Sequence, residues 1–162
     1  MVRSLIEHLK VLPAADILSL RGDGSTPISA PFVESDVDVQ PGGVFIARRG
    51  RSSDGHAFIA NAIARGAAAI IGEREDIQPL PVPYVVVRDA QVATGWLAAS
   101  FFDFPSRKLK LVGVTGTDGK TTTSHLLHSL LQTATHGHAG FISTIAADFG
   151  GRSADTGLHV TT

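Results

Sequence analysis

Short apolar runs alternate with amphipathic segments through the first part of the chain. The runs are four residues long and rich in β-branched residues, which predicts buried strands. The segments between them carry apolar residues three and four positions apart, which predicts helices. In chain order, the pattern predicts a helix over 4–12, a strand over 44–47, a helix over 57–65, strands over 68–71 and 84–87, and a helix over 91–102.

This alternation of strands and helices predicts an α/β fold made of two parts. The first domain is expected over 1–107, closing at the proline-marked hinge 104–106. Residues 108–162 are expected to open a second domain with a strand over 109–114, a Gly/Thr-rich turn, a helix and a strand over 140–145. This stretch is shorter than a usual domain. We therefore expect it to be only the truncated start of the second domain.

Composition narrows the function classes. The 162 residues carry 14 basic and 15 acidic side chains, a formal net charge of −1. No field of one sign would attract a nucleic acid, so none is expected as a partner. The chain has no cysteine, and no apolar run has the length of a membrane span. These features predict a cytoplasmic protein without membrane insertion.

The turn after residue 114 has the composition of a phosphate-binding loop. Gly116 and Gly119 suit a backbone that takes positive φ and approaches a ligand closely. Lys120 would reach the terminal phosphates, and the Thr121 hydroxyl would bind Mg²⁺. The strict form of the motif would have its first glycine at Val114, so the loop is a variant. The predicted nucleotide-binding set is Gly116, Thr117, Asp118, Gly119, Lys120, Thr121 and Thr122.

The segment Thr115-Gly-Thr-Asp-Gly-Lys-Thr-Thr-Thr123 resembles the ATP-binding loop of the Mur ligase family. The stretches 41–47, 54–59 and 66–71 resemble the N-terminal domain of its MurE and MurF types, and the Thr-Gly-Thr form favours MurE. The resemblance implies a small MurE/MurF-like α/β domain followed by the start of a P-loop central domain. It also implies an ATP- and Mg²⁺-dependent ligase, with Lys120 as catalytic residue, that adds an amino acid to a UDP-N-acetylmuramoyl peptide through an acyl phosphate.

The substrate-binding positions of the family fall on Asp36, Arg51, Ser52, Thr161 and Thr162. The family's usual Ser and Arg are replaced here by Asp36 and Val37, a departure that leaves room for another acceptor. Further family residues, including a carbamylated lysine and the C-terminal domain, lie beyond this sequence. We therefore expect the 162 residues alone to be inactive, and the amino acid that is added stays open.

Two alternative functions remain open. One is a MurE-like ligase acting on a different carboxylate, and the other is a non-catalytic module that binds nucleotide or a partner. Self-association through exposed sheet edge and apolar surface is a further expectation.

Several polar residues permit two interpretations. His125 and His128 are three positions apart on a predicted helix, and solvent-facing side chains are favoured there over a zinc site. Asp54 is expected to cap the helix that follows it. Arg48, Arg49 and Arg51 either steer a pyrophosphate or belong to a solvated loop, and the sequence does not decide between these roles.

Overall fold

The computed structural model describes residues 2–50, 53–150 and 152–154, and the chain divides into two compact units, Met1–Lys110 and Leu111–Thr162. The elements of the first unit are β1 (Arg3–Ser4), α1 (Leu5–Leu9), β2 (Ile17–Arg21), β3 (Pro27–Ile28), β4 (Phe32–Val33), β5 (Val44–Ala47), α2 (Ile59–Ala64), β6 (Ala69–Gly72), β7 (Tyr84–Val87) and α3 (Ala90–Phe101). Those of the second unit are α4 (Lys120–Ala134), β8 (Gly140–Ile142), β9 (Ala147–Phe149) and β10 (Ser153–Ala154).

A five-stranded sheet in the order β2-β7-β6-β5-β4 forms the centre of the first unit. The pairs β4–β5, β5–β6 and β6–β7 are parallel, and β2 is antiparallel to β7 at one edge. Strands β1 and β3 pair separately as a short antiparallel ribbon. The predicted α/β architecture is confirmed.

Both faces of this sheet are buried, which explains why its strands are apolar runs rather than alternating ones. Val44 and Ile46 of β5 point into a core with α1 and α3, whereas Phe45 and Ala47 point into a second core with α2. Strands β6 and β7 alternate in the same way between the two cores. The carboxyl ends of the four parallel strands therefore meet at one edge, where ligands bind in this class of sheet.

Two predicted helices differ in detail. The helix expected over 4–12 is observed only as α1 over Leu5–Leu9. The helix expected over 57–65 begins as a 3₁₀ turn at Gly55–Phe58 and becomes α-helical at Ile59. Asp54 caps this start as predicted, because its Oδ1 accepts from the His56 amide at 3.0 Å.

The second unit corrects two expectations. Residues 109–114 form no strand, and Leu109, Leu111 and Val112 are all exposed. A strand needs a neighbour to satisfy its backbone groups, and no described residue pairs with this segment. The strand expected over 140–145 is observed only as β8 over Gly140–Ile142, which lies at the edge of an antiparallel sheet in the order β10-β9-β8. The helix α4 is found where it was predicted.

The imidazole of His8, in the last turn of α1, is a buried titratable group. Its Nδ1 lies 2.9 Å from Ser100 Oγ, and its Nε2 has no hydrogen-bond partner among the described residues. Burial lowers the pKa of His8, the nearby Arg3 lowers it further, and Glu7 opposes the shift. The fold therefore favours the neutral ring over the imidazolium.

We expect the stability of the first unit to fall as the pH falls below about 6.5, the ordinary pKa of histidine. The unfolded chain then binds a proton that the folded chain resists, so stability is full above this pH and is lost below it, by up to about 1.4 kcal/mol per pH unit. The replacement His8→Gln should flatten this slope in urea unfolding followed between pH 7.5 and 5. Equal slopes for the two proteins would contradict the assignment.

Candidate nucleotide-binding loop and sheet edge

The glycine-rich loop of the second unit depends on two residues in unusual backbone conformations. Gly116 has φ 148° and Gly119 has φ 73°, values that side-chain-bearing residues rarely adopt. An added Cβ at Gly119 would meet no atom within 4 Å. These positions therefore require glycine for the shape of the turn, not for lack of space around it.

The loop leads directly into the N-terminus of α4. The first backbone bond of the helix runs from the Thr123 N–H to the Gly119 carbonyl at 2.9 Å. The N–H groups of residues 120–122 precede it, so they have no acceptor within the helix, and Gly119 at the N-cap offers no side chain to them. Free N–H groups and the helix dipole make such an end a site for a phosphate oxygen.

Lys120 is the first residue of α4, and its ammonium group bonds back to the loop. Its Nζ donates to the Gly116 carbonyl at 2.5 Å and to the Thr117 carbonyl at 3.0 Å. Lys120 and Thr121 are half-buried. The seven residues predicted to bind the nucleotide therefore lie in one loop and the first turn of the helix that follows it. Lys120 is the one cationic residue among the seven.

The metal predicted at Thr121 would have few protein ligands. The described part of the chain contains no group of three or more His, Asp or Glu residues placed to hold a metal ion. Mg²⁺ commonly keeps several waters and is held by one or two side chains together with substrate phosphates. One hydroxyl next to a phosphate-binding loop fits that mode of binding.

The helix α4 packs on its sheet through histidines, which corrects the prediction that His125 and His128 face solvent. Both rings lie with their centroids 4.6 Å from that of Phe141 in β8. The helical spacing of four leucines predicts an apolar stripe along α4, made of Leu126, Leu127, Leu130 and Leu131. Leu126 and Leu130 are nevertheless 63% and 70% exposed, so the spacing of the leucines was a poor guide to which side of α4 is covered.

A polar cluster occupies the carboxyl edge of the parallel sheet in the first unit. Glu34 follows β4, Arg48 follows β5, and the Arg48 Nε donates to Glu34 Oε2 at 2.7 Å. The other oxygen, Oε1, lies 2.9 Å from the Thr94 hydroxyl of α3. Glu34 and Thr94 were not predicted from the sequence, although a charged residue directly after each of two parallel strands is a usable signal.

A second cluster anchors the loop that follows β5. His56 is buried, its Nδ1 lies 2.6 Å from Asp54 Oδ1, and its Nε2 accepts from the Glu73 amide at 3.1 Å. The neutral Nδ1–H tautomer satisfies both contacts. The bonds from His56 hold the pKa of the Asp54 carboxyl below its usual range. Asp54 and His56 therefore anchor the loop after β5 to the end of β6, where Glu73 lies.

Of the five predicted substrate residues, only Asp36 lies among the residues that the structure describes. Asp36 lies in a 3₁₀ turn at Asp36–Asp38, half-buried, with Oδ2 3.5 Å from the Asn61 amide nitrogen. Arg51, Ser52, Thr161 and Thr162 lie outside the described residues. The structure thus brings the loop residues 116–122 together, and it leaves the grouping of the five substrate positions as a prediction.

The described ranges contain no candidate membrane-spanning helix. None of the helices there is both long and apolar enough to cross a bilayer.

Comparison with known proteins gives two family matches. Residues 37–102 match the model described as "Mur ligase family, catalytic domain", and residues 114–161 match the "Mur ligase middle domain". The chain is 41% identical over 152 residues to a UDP-N-acetylmuramoyl-L-alanyl-D-glutamate–2,6-diaminopimelate ligase of Chlorobium phaeobacteroides, covering 91% of this chain and 28% of the relative.

Two solved structures extend the comparison. One is a ligase of the same name as the Chlorobium relative, with TM-score 0.68 and 23% identity over 91% of this chain and 29% of that one, a likeness of fold alone. The other is the MurF ligase of Thermotoga maritima in complex with ADP, with TM-score 0.50 and 34% identity over 64% of this chain and 23% of that one.

Fold and loop together define an α/β protein with a glycine-rich loop of the phosphate-binding type at the start of a helix. The family matches cover both compact units, one in each. The chain belongs to the Mur ligase family, and its relatives include ligases of the MurE type. It spans just over a quarter of the length of the Chlorobium relative.

Proposed function

We propose that the protein containing these residues is an ATP-dependent amide ligase of the MurE type, acting in the cytoplasm in the synthesis of peptidoglycan precursors. The observation that carries the proposal is the loop 116–122 at the uncapped start of α4, in a chain whose two units each match a Mur ligase model. The name of the Chlorobium relative supplies the reaction.

The residues of the loop have distinct proposed roles. The N–H groups at the start of α4 bind phosphate oxygens, and the helix dipole adds to their attraction. Lys120 exchanges its two carbonyl contacts for oxygens of the terminal phosphate and offsets the charge that develops there. Thr121 supplies a hydroxyl to Mg²⁺. When bound, ATP would supply the phosphoryl group that makes a carboxylate reactive toward an amine, and Mg²⁺ would offset negative charge on the phosphate oxygens.

The substrate side of the proposal rests on the first unit. The UDP-muramoyl peptide is assigned to the carboxyl edge of the parallel sheet, with Asp36 and the predicted residues Arg51 and Ser52 as contacts. For Thr161 and Thr162, which belong to the second unit, a substrate contact stays a prediction from the sequence. Ligands of parallel α/β sheets bind outside the carboxyl ends of the strands, which supports this assignment. The incoming amino acid is left unassigned between diaminopimelate, lysine and others.

Release of ADP by the full-length polypeptide that carries this sequence tests the proposal. The reaction would contain Mg²⁺, UDP-N-acetylmuramoyl-L-alanyl-D-glutamate and one amino acid at a time. Turnover that requires both the UDP-peptide and one amino acid is the expected result. Turnover with another carboxylate but not with the UDP-peptide would favour the altered-acceptor alternative suggested by Asp36 and Val37. Nucleotide binding without turnover under any condition would favour a non-catalytic module.

A further inference from the structure

Arg48 is held in one orientation at the carboxyl edge of the sheet by residues from two other elements. Glu34, after β4, accepts from Arg48 Nε at 2.7 Å, and Thr94 of α3 lies 2.9 Å from the other oxygen of the same carboxylate. The Thr94 hydroxyl is also 2.8 Å from the Ala90 carbonyl within α3. The guanidinium of Arg48 is therefore tied to a strand end and a helix rather than to a loose loop.

This arrangement uses only one side of the guanidinium. Glu34 accepts from Nε, and the described residues provide no hydrogen bond to the terminal nitrogens of Arg48. The side chain of Arg48 is 36% exposed, so a ligand can reach those nitrogens. A planar fork with fixed orientation loses less freedom on binding an anion than a mobile one does.

The neighbouring Arg49 lacks such an arrangement. It is exposed, and its backbone forms an isolated bridge with Asp54. No described residue forms an ion pair with its guanidinium within the salt-bridge distance. Arg48 and Arg49 therefore carry the same charge on adjacent positions of one chain segment, but only Arg48 is oriented by other side chains.

We infer that Arg48 contacts the diphosphate of the UDP substrate, and that Glu34 and Thr94 are positioning residues that orient it. The inference rests on the proposed function, because it names a residue of that substrate site. A guanidinium binds two phosphate oxygens through parallel N–H groups. The carboxylate of Glu34 directs the anion to the far side of the fork, away from itself.

The pairing with Glu34 also has an electrostatic consequence. Together the two side chains are neutral, so the pair exerts little long-range attraction on an anion. Binding at Arg48 must then come from short-range, charge-assisted hydrogen bonds, which depend on geometry. Attraction by Arg49 would instead be diffuse and screened by salt, with a screening length of about 8 Å at physiological ionic strength.

Titration of the 162-residue chain with UDP and with uridine, followed by NMR, tests the inference. We expect Arg48→Gln to weaken UDP about tenfold, the loss of one charge-assisted contact of about 1.4 kcal/mol, while uridine changes less than about twofold. The matched control Arg49→Gln removes the same charge one position away and should change UDP less than about twofold at 0.15 M salt. Thermal unfolding confirms that each variant is folded.

Variants of Thr94 separate positioning from a purely structural role. Thr94→Ser keeps the hydroxyl and should retain the ratio of UDP to uridine affinity, whereas Thr94→Val should reduce that ratio without touching the ligand. Equal losses for Arg48→Gln and Arg49→Gln, or no loss for Arg48→Gln, would overturn the inference and leave the proposed function standing. Failure of the unmodified chain to bind either ligand would overturn the inference together with the uridine site, and ADP release by the full-length polypeptide would then decide the ligase activity separately.

Discussion

Replacing Lys120 with methionine is expected to lower the rate of ADP release by the full-length polypeptide about 10²- to 10³-fold. A preorganised donor aimed at developing charge typically contributes that much. Methionine keeps the apolar stem of the side chain and removes the ammonium group, so the two bonds to the Gly116 and Thr117 carbonyls are lost as well. Those bonds lie on an exposed loop, so the folding of α4 should change little.

The matched control for this prediction is Lys110→Met, which removes the same charge from an exposed position outside the loop. The rates of both variants would be measured with saturating UDP-peptide and amino acid, with calorimetric titration of ADP into each protein alongside. A Lys120→Met variant that keeps its rate within tenfold of the unmodified protein would remove Lys120 from the proposed mechanism. A Lys110→Met variant with an equal loss would show that general charge, rather than the position of Lys120, matters.

The sheet of the first unit was predictable because its strands are buried on both faces. Runs such as Val44–Ala47 and Tyr84–Val87 have no charged residue, and both were found where the pattern predicted them. Gly42 before β5 and Gly66 before β6 both have a positive φ, the conformation in which glycine is favoured at a turn. Local pattern and tertiary packing agree in this unit, which is when sequence reasoning is reliable.

The same reasoning was wrong for residues 109–114, because a strand is defined by its partner and not only by its composition. Leu111 and Val112 have the apolar character of a buried strand, yet they are 70% and 65% exposed. The face of α4 was misjudged for a related reason. Which side of a helix is covered depends on neighbours far along the chain, and here Phe141 covers the histidines.

The two candidate sites differ in how far sequence alone could reach them. Residues 116–122 are contiguous, so spacing alone assembles the loop. The cluster of Glu34, Arg48 and Thr94 joins residues separated by 14 and 60 positions. The pairing of β4 with β5 and the packing of α3 against them bring these residues together. The sequence could pose the two roles of Arg48, and the inferred phosphate contact is argued from the geometry of Glu34 and Thr94.

Replacing Gly72 with alanine is expected to destabilise the first unit by about 2–4 kcal/mol, from overpacking and from lost buried hydrogen bonds. Gly72 is buried at the end of β6, and an added Cβ would lie 2.5 Å from Tyr84 Oη and 2.8 Å from His56 Nε2. Neither group can retreat freely. Tyr84 donates to the Arg74 carbonyl at 2.8 Å, and His56 accepts from the Glu73 amide at 3.1 Å.

Gly95→Ala provides the matched control in the same unit. Gly95 is exposed within α3, and an added Cβ there meets no atom within 4 Å. Alanine should therefore stabilise the unit by about 0.5–1 kcal/mol through helix propensity. Urea unfolding followed by circular dichroism would measure both changes. A Gly72→Ala variant as stable as the unmodified chain would mean that the contacts of His56 and Tyr84 can rearrange at little cost. Asp54 and His56 would then not be the rigid anchor of the loop after β5.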